Sequence, residues 1–330
     1  MTLLVFWVSN EGISVMHKLG VEIGGTKLQI AVGTDAGEIV RIESGAVPEP
    51  GDAAAILGWM QEHIPPLLVW AEGEGTPVTG IGVGFGGPVE SATGRILTSH
   101  QVSGWDAVEM KPWFEEQFSL PTVVANDSNA AGWGEYCCGS GQGTKTFCYM
   151  NIGSGIGGAL VLDGKLHDGQ GRGAFEMGHV YVPDPYAESP GSYKKLEQLF
   201  SGWSIEKHAH ETIRLVADTP LWELAQGNES TITCPILAQA AEQGDATALN
   251  YIHEIARYLG LAISNSITLL HPEVFALGGG VSLMGDVLLT PIRDVLRELQ
   301  YQAYGKNTTK LVQAKLGESI VLVGALLLAG

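Results

Sequence analysis

Two short glycine-turn units, far apart in the chain, constrain the fold more than any other feature. The first, "LGVEIGGTKLQIAVGTDAGEIV" (residues 19–40), runs apolar strand, Gly-Gly, polar residue, apolar strand, an Asp35-Ala36-Gly37 turn and strand again. The second, "MNIGSGIGGALVLDGKL" (residues 150–166), repeats the plan, with Gly153 standing 129 residues after Gly24. Its Asp163-Gly164 lies between apolar runs, which is a hairpin signal. Each unit is predicted to be a strand–turn–strand element whose first turn, bare of side chains, offers backbone N–H groups to an anion. Taken singly, either is equally well an ordinary tight hairpin. Together they predict two similar α/β domains, each turning a phosphate loop toward a shared cleft.

The second unit also contains Gly153-x-Gly155-x-x-Gly158, the spacing of a dinucleotide-binding loop. That loop requires a helix directly after the glycines, because the pyrophosphate sits on the helix N-terminus. Here "ALVLDGKL" follows, a strand and a turn. A further instance, Gly82-x-Gly84-x-x-Gly87, runs into Pro88 and "VESATG", again without a helix. A nicotinamide-dependent oxidoreductase is set aside on that context.

Composition narrows the partners. The 45 glycines among 330 residues are about twice the usual ~7%, yet with 15 prolines they stay below the level of disordered chains. A mean hydropathy of +0.13 describes a folded, soluble chain, long enough for two domains. The net charge of −18 argues against a nucleic-acid or anionic-membrane surface, and Lys194-Lys195 is the longest basic run. Cys137, Cys138, Cys148 and Cys234 show no C-x-x-C spacing, so a reducing cytoplasm is the simpler reading. The opening "MTLLVFWVSN" has no basic leader region and is far short of the ~20 residues of a membrane span. Residues 1–17 are expected to be an extension, with structure beginning at "HKLGVEIGG". The closing "SIVLVGALLLAG" is expected to be a buried strand running into a helix that returns to the N-terminal domain.

Chemistry-bearing residues fall between and after the hairpins. "LPTVVANDSNAAGWGEY" (residues 120–136) reads as a buried strand, Asn126-Asp127, then a small-residue helix. Asp127 is a general base at a strand end, where α/β proteins place catalytic groups, or else Asp127 or Ser128 caps a helix starting near Asn129. Phosphate loops on both sides favour the base. Glu176 and His179, three residues apart, can line a polyol site with Asp127, although a lone histidine is more often structural. Glu197 opens a helix, where a carboxylate also simply favours the dipole. Leu249, Ile252, Ile255, Ala256, Leu259 and Ile263 keep helical spacing up to Pro272; "EVFAL" is then a buried strand ending in Gly278-Gly279-Gly280. That triple glycine lets a flat ligand lie on bare backbone, as a nucleotide-base wall would.

In this order the segments resemble the ROK family (repressor, open reading frame, kinase) of sugar kinases, over nearly everything from Lys18 to Gly330. "EIGGTK" resembles its first phosphate motif, "NIGSGIGGALV" its second, "ANDSNAAGWGE" its catalytic segment, "EMGH" a sugar motif and "FALGGGVS" its adenosine motif. The resemblance implies a two-domain actin/hexokinase-like (ribonuclease H-like) α/β fold, with mixed sheets flanking a central cleft. Residues 18–125 plus about 312–330 would form the N-terminal domain, and residues 126–311 the C-terminal one. Asp127 would be the general base, and Gly87, Asn126, Asp127, Glu176, His179 and Glu197 would hold the sugar. Glu22, Gly24, Gly25, Thr26, Lys27, Gly153, Ser154, Gly155, Gly278, Gly279 and Gly280 would surround ATP. Glu22 stands where many members have Asp and would orient Mg²⁺ or its waters.

The activity implied is ATP-dependent phosphorylation of a hexose hydroxyl, glucose-type and at the 6-OH, by a cytoplasmic homodimer whose partners are sugar and ATP. A non-catalytic sugar-binding or regulatory protein that kept the cleft is the alternative. Typical members carry a zinc-binding cysteine cluster after the "GH"; no cysteine lies between His179 and Glu197, so no zinc is expected. The family's repressors carry an N-terminal helix-turn-helix, and about fifteen residues before Lys18 are too few for one, so that branch is not expected.

Overall fold

The computed structural model describes residues 16–99, 102–106, 108–299 and 301–330. Most of the expected extension, residues 1–15, lies outside the described residues; its last member, His17, is already the first residue of a strand.

The first glycine unit is an antiparallel meander of β1 (His17–Ile23), β2 (Lys27–Thr34) and β3 (Ile39–Ala46). After α1 (Ala53–Gly73), β4 (Val78–Phe85) pairs parallel with β1. A ribbon of β5 (Val89–Glu90) and β6 (Arg95–Ile96) and the helix α2 (Met110–Phe118) lead to β7 (Thr122–Asn126), parallel to β4. The sheet order is β3-β2-β1-β4-β7. β1 is buried along nearly its whole length because it lies mid-sheet, which explains why its sequence shows no in–out alternation.

Helix α3 (Asp127–Cys138) leads into the second half, where the plan recurs. β8 (Phe147–Ile152), β9 (Ile156–Leu162) and β10 (Lys165–His167) form the second meander. A separate ribbon pairs β11 (Tyr181–Pro183) with β12 (Tyr193–Lys195). The helices α4 (Leu196–Phe200), α5 (Gly202–Thr212), α6 (Pro220–Leu224), α7 (Cys234–Glu242) and α8 (Ala246–Leu270) follow. Asp245 caps α8 by accepting from the Thr247 and Ala248 N–H groups, and His271 at φ 43 ends it before Pro272. β13 (Val274–Gly278), α9 (Asp286–Leu299) and β14 (Lys310–Gln313) complete a sheet ordered β10-β9-β8-β13-β14, its last three strands parallel. Both five-stranded sheets are thus mixed in the same way, and the fold is the two-sheet α/β architecture that the paired hairpins imply.

The C-terminus differs from expectation. No strand precedes the terminal helix: a short turn at Gly317–Ser319 runs directly into α10 (Ile320–Leu328). Ile320, Val321 and Val323 suggest a strand because the helix has no polar face; it is packed by α3 on one side and by β1 and β4 on the other. The return to the first sheet is as expected, but it begins after β14, whose partner is β13; residue 312 therefore still belongs to the second sheet.

Candidate active site

The turn from β7 into α3 sets the chemistry. Asn126, with extended backbone, is the N-cap of α3: its Oδ1 accepts from the Ser128 N–H at 2.9 Å and the Asn129 N–H at 3.3 Å. Its Nδ2 donates to the Gly87 carbonyl at 3.1 Å. The cap is therefore neither Asp127 nor Ser128, and the helix starts at Asp127, two residues before the expected position. A cap must have non-helical backbone, which Asn126 has and Asp127 has not.

Asp127 sits in the first helical turn with its carboxylate at the cleft. Oδ1 accepts from the Ser128 N–H at 2.7 Å and the Ser128 hydroxyl at 3.3 Å. Burial pushes its carboxyl above the ordinary aspartate value, while the donors of Ser128 and Asn126 pull the other way. The Ser128 hydroxyl also donates to Asn151 Oδ1 at 2.8 Å, tying α3 to the end of β8.

Beside Asp127 lies a cavity of about 490 Å³ between the two sheets. Glu22 and Lys27 border it from the first half; Tyr149, Asn151 and Gly278–Gly280 border it from the second. Gly279, at φ 77, runs against strand β8: a Cβ there would come 2.5 Å from the Ile152 carbonyl. At Gly153 and Gly280 a Cβ would meet nothing within 4 Å, so bare backbone borders open space at both. Burial raises the Glu22 carboxyl from 4.5 to about 7, with Lys27 opposing and the Asp127 charge adding to the rise. Glu22 Oε2 is buried without a hydrogen-bond partner. An orphaned carboxylate oxygen at the cleft suits a hard cation, which takes oxygen ligands.

The sugar-motif residues lie outside the lining of that cavity, with Glu176 within electrostatic reach of Asp127. Phe175, in the left-handed region at φ 61, turns the chain into Glu176 and the short turn Met177–His179. His179 Nε2 stands 3.6 Å from Glu197 Oε1, and Lys195 Nζ stands 3.3 Å from His179 Nδ1. Burial raises the Glu176 carboxyl, His179 opposes this, and the charges of Asp127 and Glu197 add to it. Glu197 Oε2 would lie 3.5 Å from a Cβ on Gly155, so the second glycine turn borders this group as well. Glu176 thus shares its surroundings with two further carboxylates, Asp127 and Glu197, and an imidazole, a set that can accept from and donate to several hydroxyls of one polyol.

Some expected residues also make contacts that hold the fold. The Gly24 N–H closes its own hairpin on the Lys27 carbonyl at 3.1 Å, and Gly24 and Gly25 border a small indentation with Gly86 and Trp105. Thr26 is exposed, and its carbonyl accepts from the Val47 N–H at 3.1 Å. The Gly153 carbonyl accepts from the Gly202 N–H at 2.7 Å, beside Ser154. Gly82 and Gly84 are packing residues: a Cβ would come 1.8 Å from the Ala325 carbonyl and 2.5 Å from Val321. Sequence reasoning missed Tyr149, Asn151 and Gln313, which also border the cavity. Asn151 alone carried a signal, as a polar side chain in an apolar strand immediately before the glycine turn. Where the resemblance places zinc cysteines, the β11–β12 ribbon is held by a Lys194–Asp184 ion pair at 2.9 Å, and the following Tyr186 ring stacks on His208 at 4.1 Å.

Comparison with known proteins agrees with this fold. The family described as "ROK family" covers residues 18–330. A glucokinase of Streptomyces coelicolor is 31% identical over 310 residues, 93% of this chain and 95% of the relative. A ROK family glucokinase from Streptomyces griseus, solved in complex with glucose and AMPPNP, superposes with a TM-score of 0.76 at 32% identity, over 95% of this chain and 99% of that one. A xylose repressor of Caldicellulosiruptor bescii is 25% identical over 93% of this chain and 76% of its own length.

Proposed function

The chain belongs to the ROK family, and from that premise we propose that it is an ATP-dependent sugar kinase whose Asp127 is the general base toward a hexose hydroxyl, the 6-OH of a glucose-type sugar. The observation that carries this is the position of Asp127, whose carboxylate borders the inter-sheet cavity and whose charge also reaches Glu176 of the sugar motif. A phosphoryl donor and a polyol held in the two places would meet at one carboxylate. Phosphoryl transfer asks an enzyme mainly to position the reactants and offset charge, while one carboxylate accepts the hydroxyl proton. Glu176, His179 and Glu197 orient the sugar, and Asp127 takes the proton as the hydroxyl attacks the γ-phosphorus. Lys27, Gly153–Gly155 and Gly278–Gly280 hold ATP. Glu22 holds Mg²⁺ or its waters, and the ion when bound offsets phosphate charge. Residues 18–125 with α10 act as one domain and the remainder as the other, closing on the substrates to exclude water.

Kinship with a xylose repressor supports a second reading, a regulatory protein that binds sugar without turnover. An ADP-release assay with MgATP across glucose, mannose, fructose, allose, N-acetylglucosamine and N-acetylmannosamine separates the two. Sugar-dependent ADP release, strongest with glucose, supports the kinase. Calorimetric binding of a sugar with no ADP release from any would establish the regulatory reading. Light scattering of the purified chain checks the homodimer that the resemblance implies.

A further inference from the structure

We propose that Lys195 is a positioning residue that fixes the tautomer and orientation of His179; the inference rests on the sugar-kinase reading for its consequence, but not for its geometry. A lysine ammonium has three donors and no acceptor. Its contact with His179 Nδ1 at 3.3 Å is a hydrogen bond only if that nitrogen presents its lone pair. A proton on Nδ1 would set an N–H against the ammonium. Of the two neutral tautomers, the contact therefore selects the one with hydrogen on Nε2, the nitrogen 3.6 Å from Glu197 Oε1. His179 becomes a defined donor toward the sugar side, and Glu197 stays an acceptor.

The β11–β12 ribbon builds this row. Lys195 is the last residue of β12 and lies opposite Tyr181 in the ladder. His179 is two residues before Tyr181 and Glu197 two after Lys195, so one end of the ribbon gathers all three. The Leu196 N–H donates to the Val180 carbonyl at 2.8 Å and extends the pairing up to the site. The neighbouring lysine serves the same ribbon differently, with Lys194 bound to Asp184 at 2.9 Å. The one basic doublet of this acidic chain is thus divided: Lys194 holds the ribbon, and Lys195 sets the histidine.

The test combines ¹⁵N-histidine NMR of the full chain with steady-state kinetics on wild type, Lys195→Met and Lys195→Arg, the His179 signals being assigned from His179→Gln. In wild type without ligand, His179 is expected to show a single pattern, protonated at Nε2 with a hydrogen-bonded Nδ1. Lys195→Met should give a mixture of tautomers, an increase of about 10-fold in KM for the sugar and an unchanged KM for ATP, the loss expected for one charge-assisted hydrogen bond. Lys195→Arg retains a cationic donor and should restore most of both. An unaltered His179 pattern in Lys195→Met would overturn the inference whatever the turnover. A wild type without sugar-dependent ADP release would instead remove the kinase reading and leave the tautomer result standing.

Discussion

Glu22 and Asp127 face one cleft from two elements, and burial raises the carboxyl of each. Because folding raises the Glu22 carboxyl from 4.5 to about 7, the native state holds that proton more tightly than the unfolded chain does. Its contribution is most favourable below about 4.5 and is lost as pH rises through about 7. Glu22→Gln should consequently be more stable than wild type by about 3 kcal/mol at pH 8 without nucleotide, with the difference shrinking below about 1 kcal/mol at pH 5. Denaturant unfolding at the two pH values checks this, and equal stability at pH 8 would refute it. Asn126 has the opposite character. Its side chain caps α3 and holds the Gly87 carbonyl, so Asn126→Ala should cost about 1 kcal/mol of stability at any pH near neutrality.

The two meanders were legible because a glycine-rich turn and then an aspartate–glycine turn punctuate each, Asp35-Ala36-Gly37 in the first and Asp163-Gly164 in the second. α8 was legible through its apolar spacing and the proline that ends it. α10 was not. A helix packed on all sides carries no periodic polar face, so its β-branched start resembles a strand. Its seat is made by residues distant in sequence: a Cβ on Gly324 would come 1.7 Å from the Ala130 carbonyl, and one on Gly134 would come 2.8 Å from the Gly324 nitrogen. Two backbones touch there, so no side chain can relax to make room. Gly324→Ala should cost about 3 kcal/mol or more, read as a lowered denaturant midpoint, whereas Gly280→Ala, open on the cleft side, should leave the midpoint nearly unchanged and weaken ATP binding. Of the site, the motif residues were legible one by one. Cavity residues such as Tyr149 and Gln313 were not, because strand pairing and the inter-sheet cleft, rather than any local pattern, bring them there.

Across the whole molecule, two copies of one meander-plus-parallel sheet face each other, with α3 and α10 packed together between them. Direct ties cross between the halves: Arg172 pairs with Glu90 at 3.0 Å, and the Ser91 N–H donates to the Gly171 carbonyl at 2.9 Å. In the proposed kinase, phosphoryl donor, polyol and base come together in the cleft between these halves. Asp127→Asn tests that placement most directly, since the helix cap is Asn126 and remains intact. Steady-state turnover with the best sugar should fall by about 10²–10⁴-fold, with KM for ATP nearly unchanged and the fold at least as stable as wild type. A well-folded Asp127→Asn protein that phosphorylates its sugar at a near-normal rate would contradict the assignment of Asp127 as the base.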